Sequence, residues 1–108
     1  MKRREFQRYI DRDKACPCGC GETETLVPQH RVNRGMGGSK YLDRPANIIV
    51  LCSRMNGLIE SDAQAARVAR QYGWKLDRTQ KPEDYAVFYR ATGEWFYLSN
   101  DFQRIRKR

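Results

Sequence analysis

The only histidine of the chain, His30, lies in the stretch LVPQHRVNRGMGGS, ahead of a loop rich in glycine and positive charge. Imidazole is the side chain whose ordinary pKa suits proton abstraction near neutral pH. Cleaving a phosphodiester requires such a base, a positive centre beside the phosphate and stabilisation of the departing oxygen. A lone histidine is more often an incidental group, so this interpretation depends on the residues around it.

Three polar residues further along the chain strengthen the interpretation. Asn47 opens the apolar run NIIVLC, and Asn56 and Glu60 are four residues apart in a segment with helical spacing. On a continuous helix, that spacing puts both side chains on one face. Taken singly, Asn47 suits a turn and Asn56 suits a helix start, so only their joint placement favours a functional site.

The four cysteines are the second group with chemical potential: Cys16, Cys18, Cys20 and Cys52. Adjacent disulfides within CPCGC would be geometrically awkward, and a chain without an export signal is expected to keep its thiols reduced or bound to metal. A structural zinc usually takes two pairs of thiolates, each pair separated by two residues. Here Met55 stands where a partner of Cys52 would fall. A four-thiolate zinc site and a Cys52 that is merely a buried apolar residue therefore both remain open.

The charge of the chain narrows the classes of partner. Twenty-one Lys and Arg stand against thirteen Asp and Glu in 108 residues, a formal net charge of +8 that favours nucleic acid, although a solvated surface is the alternative. Arg31, Arg34 and Lys40 flank glycines that permit close backbone approach, which predicts a sugar-phosphate clamp over an ordinary flexible loop. The sequence shows neither a membrane span nor a signal peptide, so we expect a cytoplasmic protein.

The secondary structure that would position these groups follows from periodicity. Phe6, Tyr9 and Ile10 predict an amphipathic N-terminal helix, TETLVPQHR an extended segment, and NIIVLC a short buried strand. A helical stretch follows and ends at Gly73, or forms two helices bent near Glu60 with Ser61 opening a capping box. YAVFYR and EWFYLS predict a hairpin around ATG, and the basic tail DFQRIRKR is expected to be frayed or to contact phosphate.

The order of these parts resembles that of the HNH endonucleases. The resemblance rests on QHRVNRGMGGS, RPANIIVLC and SRMNGLIES, extends to YGWKL and GEWFYL, and is closest to the small HNH proteins of bacteriophages. It implies an α+β fold with a ββα-metal (His-Me finger) core at about 14–73, an N-terminal helix and a C-terminal hairpin at about 84–99. The whole chain, 1–108, would then be a single domain.

The resemblance also implies roles for the residues. His30 would be the general base, and Asn47 would hold its Nδ1 and fix the useful tautomer. Gln29, Asn56 and Glu60 would bind the catalytic metal, and an all-oxygen set favours Mg²⁺ or Mn²⁺. Relatives commonly have Asp or His at the position of Gln29, so this chain departs from the pattern with a neutral and weaker ligand.

The expected activity is cleavage or nicking of double-stranded DNA, leaving 5′-phosphate and 3′-hydroxyl ends, in the cytoplasm of a bacterial host. The resemblance further implies a phage terminase as partner in genome packaging. Two rivals stay open: a catalytically inactive DNA-binding or adaptor protein, and a zinc-ribbon-like structural protein. A homing nuclease is less favoured because one short domain offers little base-specific contact.

Overall fold

The computed structural model describes residues 1–33 and 40–108 and shows a small, compact α+β domain. In these residues there are three α-helices and two antiparallel sheets, of two and three strands. No helix among them is long and apolar enough to cross a membrane. In chain order the elements are α1 (Arg3–Asp13), β1 (Leu26–His30), β2 (Ile48–Cys52), α2 (Ser53–Ser61), α3 (Ala63–Gln71), β3 (Val87–Tyr89), β4 (Glu94–Leu98) and β5 (Arg104–Arg106).

The first sheet is the hairpin of β1 and β2, with Leu26 opposite Cys52 at one end and His30 opposite Ile48 at the other. The extended segment and the short buried strand were predicted in these places, and both predictions are confirmed. Helix α2 begins directly after β2 and packs against both strands. A strand pair followed by a helix thus presents the end of β1 to one face of α2.

Strand β2 is buried along its whole length because each of its faces packs against a different cluster. Ile49 and Leu51 join the main core formed with α2, α3 and the second sheet, whereas Ile48 and Val50 pack against Tyr9 of α1. Since successive side chains of a strand point to opposite faces, an unbroken apolar run serves both clusters. Because His30 pairs with Ile48 of this buried strand, the position of His30 at the end of β1 is fixed by the core.

The end of helix α1 covers the open edge of β2. Asp13 accepts a hydrogen bond from Val50 N–H at 2.9 Å and from the Tyr89 hydroxyl at 2.7 Å, and Arg12 donates to the Ile48 carbonyl at 2.6 Å. Both charged side chains are buried, and they pair with each other. Because an unpaired strand edge exposes unsatisfied backbone groups, this pair substitutes for a third strand.

Two helices, α2 and α3, occupy the predicted helical stretch, in agreement with the second alternative. The break lies at Asp62, whose carboxylate accepts from Gln64 N–H and Ala65 N–H, so the expected capping residue Ser61 is wrong by one position. Gly73 ends the stretch with a φ of +76°. A Cβ there would lie 2.1 Å from the Ala86 carbonyl oxygen, which explains the glycine.

The second sheet has the order β3-β4-β5 and contains the predicted hairpin. The expectation of a frayed tail is wrong, because β5 extends the hairpin to three strands. Arg104 lies 4.3 Å over the Phe96 ring and 4.8 Å over the Tyr89 ring, and Lys107 N–H donates to the Trp95 carbonyl. The ring contacts of Arg104 and the backbone hydrogen bond of Lys107 hold the basic tail on the sheet.

Candidate functional site

His30 is the last residue of β1, and its ring is about one-quarter exposed. The ring Nε2 lies 2.8 Å from Asp43 Oδ1, at the end of the 3₁₀ turn Lys40–Asp43. A carboxylate only accepts hydrogen bonds, so a neutral imidazole in this contact carries its proton on Nε2 and its lone pair on Nδ1. In this tautomer Nδ1 is the nitrogen that can accept a proton.

The expected contact between Asn47 and the imidazole is corrected by the structure. Asn47 is fully buried, its Oδ1 accepts from Val32 N–H at 2.8 Å, and its Nδ2 donates to the carbonyls of Val32 and Leu42. Its own carbonyl accepts from Arg31 N–H. Asn47 thus ties together the two chain segments that follow β1 and precede β2, while Asp43 orients the ring.

Gln29 and Asn56 are brought together as predicted. Gln29 Oε1 accepts a hydrogen bond from Asn56 Nδ2, and Gln29 Nε2 donates to the His30 carbonyl at 3.0 Å. Gln29 is almost fully buried in this arrangement. The two amides therefore bond to each other across the gap between β1 and α2, where a shared metal ion was expected.

A cavity of about 150 Å³ opens at this end of β1. Residues of three elements line it: His30 of β1, Glu60 of α2, and Lys75, which follows α3. The residues that line it are polar for the most part: Pro28, Gln29, His30, Arg31, Asn33, Glu60 and Lys75. Glu60 thus lies where the i, i+4 spacing from Asn56 predicted, on the side of α2 that faces the histidine.

Sequence reasoning missed two residues of this site, Asp43 and Lys75. Asp43 is the only acidic residue between His30 and Asn47, a signal that could have marked it as the histidine's partner. Lys75 lies in YGWKL, and nothing in the sequence indicates that it lines the cavity, because its position there depends on the turn after α3.

The prediction that Arg31 contacts DNA phosphate is wrong. Its side chain is fully buried, and its guanidinium donates to four backbone carbonyls at 2.5–3.0 Å. Burial lowers its pKa to about 10, so it stays charged at neutral pH. Four carbonyl dipoles compensate a cation removed from water, and Arg31 thereby joins elements distant in sequence: Gly73, Ala46, Pro82 and Tyr85.

Lys40 and Arg34 are the other two residues predicted to contact phosphate. Lys40 is exposed at the start of the 3₁₀ turn that ends at Asp43. Its contact with DNA stays a prediction. Arg34 lies outside the described residues.

The four cysteines form a cluster whose sulfur atoms all lie within 4.8 Å of one another: Cys16, Cys18, Cys20 and Cys52. The Sγ of Cys18 is 3.2 Å from that of Cys16 and 3.8 Å from that of Cys52. A tetrahedral ion with Zn–S bonds of about 2.3 Å requires sulfur separations near 3.8 Å. The strain expected from three ligands in CPCGC is relieved at Gly19, whose φ of +78° folds the chain back.

Backbone N–H groups point at these sulfur atoms. Cys52 N–H donates to Cys16 Sγ at 3.2 Å, and Met55 N–H donates to Cys52 Sγ at 3.4 Å. Burial raises the pKa of Cys18 to about 11 and raises that of Cys16 further. At Cys20 burial also acts to raise the pKa, but hydrogen bonds with the Glu22 N–H and with the neighbouring cysteines outweigh it, so the pKa of Cys20 is lowered. Such buried thiols require a cation to hold them as thiolates, and the amide dipoles assist it.

A scan of protein-family models gives no match to the chain, and neither the curated proteins nor the solved structures give one.

Proposed function

We propose that the chain is a divalent-metal-dependent DNA endonuclease or nickase of the HNH type, built on a ββα-metal core. The observation that carries the proposal is the cleft at the end of β1, where an oriented imidazole, His30, shares one cavity with Gln29 and Glu60. A base, oxygen donors and space for a phosphate are the parts that phosphodiester hydrolysis needs.

The donor set of the cleft fits a hard divalent cation. Gln29, Asn56 and Glu60 offer two amide oxygens and one carboxylate, which suit Mg²⁺ or Mn²⁺ and do not suit zinc. When bound, such an ion supplies positive charge to the phosphate and to the departing oxygen. The ion competes with the hydrogen bond between Gln29 and Asn56, so we expect weak binding in the absence of DNA.

The chemistry of the chain itself centres on His30. Its Nδ1 takes a proton from water as the water oxygen bonds to phosphorus, and the bond from phosphorus to the 3′ oxygen breaks. Asp43 keeps the Nε2 proton in place and stabilises the imidazolium that forms. The departing 3′ oxygen takes a proton from solvent water and becomes a hydroxyl, His30 returns its proton to the solvent, and the 5′ end retains the phosphate.

We also propose that the cysteine cluster binds a structural zinc ion. Cys52 ends β2, and its sulfur also accepts from Met55 N–H at the start of α2. A zinc ion bound there would fix the start of the helix that carries Asn56 and Glu60. The sulfur separations and the N–H donors support this assignment.

The partners follow from charge and from the resemblance. A net charge of +8 supports binding to double-stranded DNA. We also propose a bacteriophage origin, action in the cytoplasm of the bacterial host, and a terminase as the partner during genome packaging.

Nicking of supercoiled plasmid with Mg²⁺ or Mn²⁺ tests the activity, with His30→Ala as the matched variant. We expect His30→Ala to lower the nicking rate at least about a hundredfold while DNA affinity and melting temperature stay near those of the wild type. Equal background cleavage by both proteins would reject the nuclease and favour the adaptor. The mutual hydrogen bond of Gln29 and Asn56, which fills the metal position, is the observation that favours that rival.

A second variant tests the metal ligands. Gln29→Glu keeps the side-chain length and adds a negative charge, so less Mn²⁺ should give half-maximal nicking. An unchanged Mn²⁺ requirement would remove Gln29 from the coordination shell.

A further inference from the structure

The cavity beside His30 is lined by two residues of opposite charge that do not form an ion pair with each other. Glu60 and Lys75 both line it, and among residues 1–33 and 40–108 neither side chain has an ion pair or hydrogen bond. Lys75 is half-buried, in contrast to most lysines of the chain. Lys75 lines the same cavity as the proposed base and Glu60, and the described part of the chain supplies no ion-pair partner for it, so its amine is available to an anion that enters the cavity.

We propose that Lys75 binds a non-bridging oxygen of the phosphodiester in the cleft, and that the phosphate and the divalent cation each increase the affinity of the site for the other. The proposal rests on the proposed function and extends it to the substrate contact of the same site. Lys75 repels a cation that enters alone, and Glu60 repels a phosphate that enters alone. When both enter, each side chain meets the opposite charge.

This arrangement explains a ligand set that is otherwise poor in negative charge. Gln29 and Asn56 are neutral, so Glu60 is the single carboxylate among the proposed ligands. The missing negative charge comes from the phosphate itself, held by Lys75 at the correct side of the cavity. Because coupling between two ligands is reciprocal, Mg²⁺ raises the affinity for phosphate by the same factor as phosphate raises the affinity for Mg²⁺.

Dimethyl phosphate serves as the phosphodiester probe, and the ring signals of His30 report binding by NMR without overlap, because it is the only histidine. In the wild-type chain, Mg²⁺ should tighten dimethyl phosphate binding at least about fivefold. Lys75→Met should abolish this coupling, bind Mg²⁺ alone more tightly than the wild type and lower the nicking rate about tenfold or more. Lys75→Arg should restore most of the phosphate affinity, since it keeps the charge.

Lys81→Met is the matched control, because Lys81 is an exposed lysine that does not line the cavity. It removes the same charge and should leave the coupling unchanged. If Lys75→Met and Lys81→Met behave alike while His30→Ala abolishes nicking, the role of Lys75 is overturned and the nuclease stands. If the wild type does not nick but Lys75→Met still loses the phosphate-induced shift of His30, the nuclease fails and the phosphate site stands.

Discussion

The thiol cluster and the histidine cleft lie at opposite ends of the same β1-β2 hairpin. Cys52 stands opposite Leu26 at one end, and His30 stands opposite Ile48 at the other. The cluster offers four donors of one kind, three of them buried, whereas the cleft combines amides, a carboxylate, an amine and an imidazole beside an open cavity. Helix α2 connects the two ends, since it begins after Cys52.

This difference in composition suggests that the thiol cluster serves the stability of the fold and that the histidine cleft serves the reaction. A set of four sulfur atoms satisfies the coordination of one ion within the chain and leaves no position for substrate. Within residues 1–33 and 40–108, Glu60 and Lys75 of the cleft form no ion pair, so both charges can meet ligands that enter the cavity. Loss of the cluster should therefore affect the fold, and loss of cleft residues should affect the reaction.

The largest effect is expected from Cys18→Ser, which removes a buried donor of the cluster. Zinc content should fall, and the free energy of unfolding should drop by at least about 3 kcal/mol, because metal binding energy is folding energy in small domains. Denaturant unfolding and metal analysis measure both. A strong chelator is the control: it should lower the stability of the wild type to that of the variant. A wild type that is insensitive to the chelator would contradict the zinc assignment.

A smaller effect is expected from Asp43→Asn in the cleft. The amide no longer fixes the proton on Nε2, so the nicking rate should fall about tenfold with little loss of stability. The ¹⁵N shifts of His30 should change from a single Nε2-protonated tautomer to a mixture, which a purely structural role would not produce. Asp84→Asn, an exposed carboxylate outside the cavity, is the matched control. An unchanged tautomer in Asp43→Asn would show that another group orients the ring.

The smallest effect is expected from the ion pair between Arg44 and Glu83. Arg44, next to Asp43, donates to Glu83 at 2.5 and 2.9 Å, and this hydrogen bond lowers the pKa of Glu83 to about 2. A carboxyl whose pKa is depressed in the folded state contributes stability above its ordinary pKa, near 4.5, and loses it as the pH falls toward 2.

Glu83→Gln should therefore reduce stability at pH 7 by about 1 kcal/mol or less, given solvent screening, and by progressively less toward pH 2. Thermal unfolding of both proteins across this pH range measures the difference. Equal differences at pH 7 and pH 2 would show that the pair contributes through packing alone.

Local pattern predicted most of the elements. The apolar run of β2, the helical spacing of α1 and the aromatic alternation of β3 and β4 each specify one structure, because burial on one or both faces selects the period. Strand β5 was missed, since its basic residues resemble a solvated tail. Arg104 joins the sheet through contacts with aromatic rings that only the paired strands bring near.

The sequence by itself determined which residue types meet along short distances: three cysteines in one turn, Gln29 beside His30, and Asn56 one turn from Glu60. Tertiary structure alone decided that Asp43 holds the imidazole, that Lys75 enters the cavity and that Arg31 is buried. The physical reason is that spacing fixes the face on which a side chain lies, whereas its partner depends on how distant segments pack. Arginine is usually exposed, so the sequence favoured a surface position for Arg31, and only the folded chain supplies the four carbonyl oxygens that allow its burial.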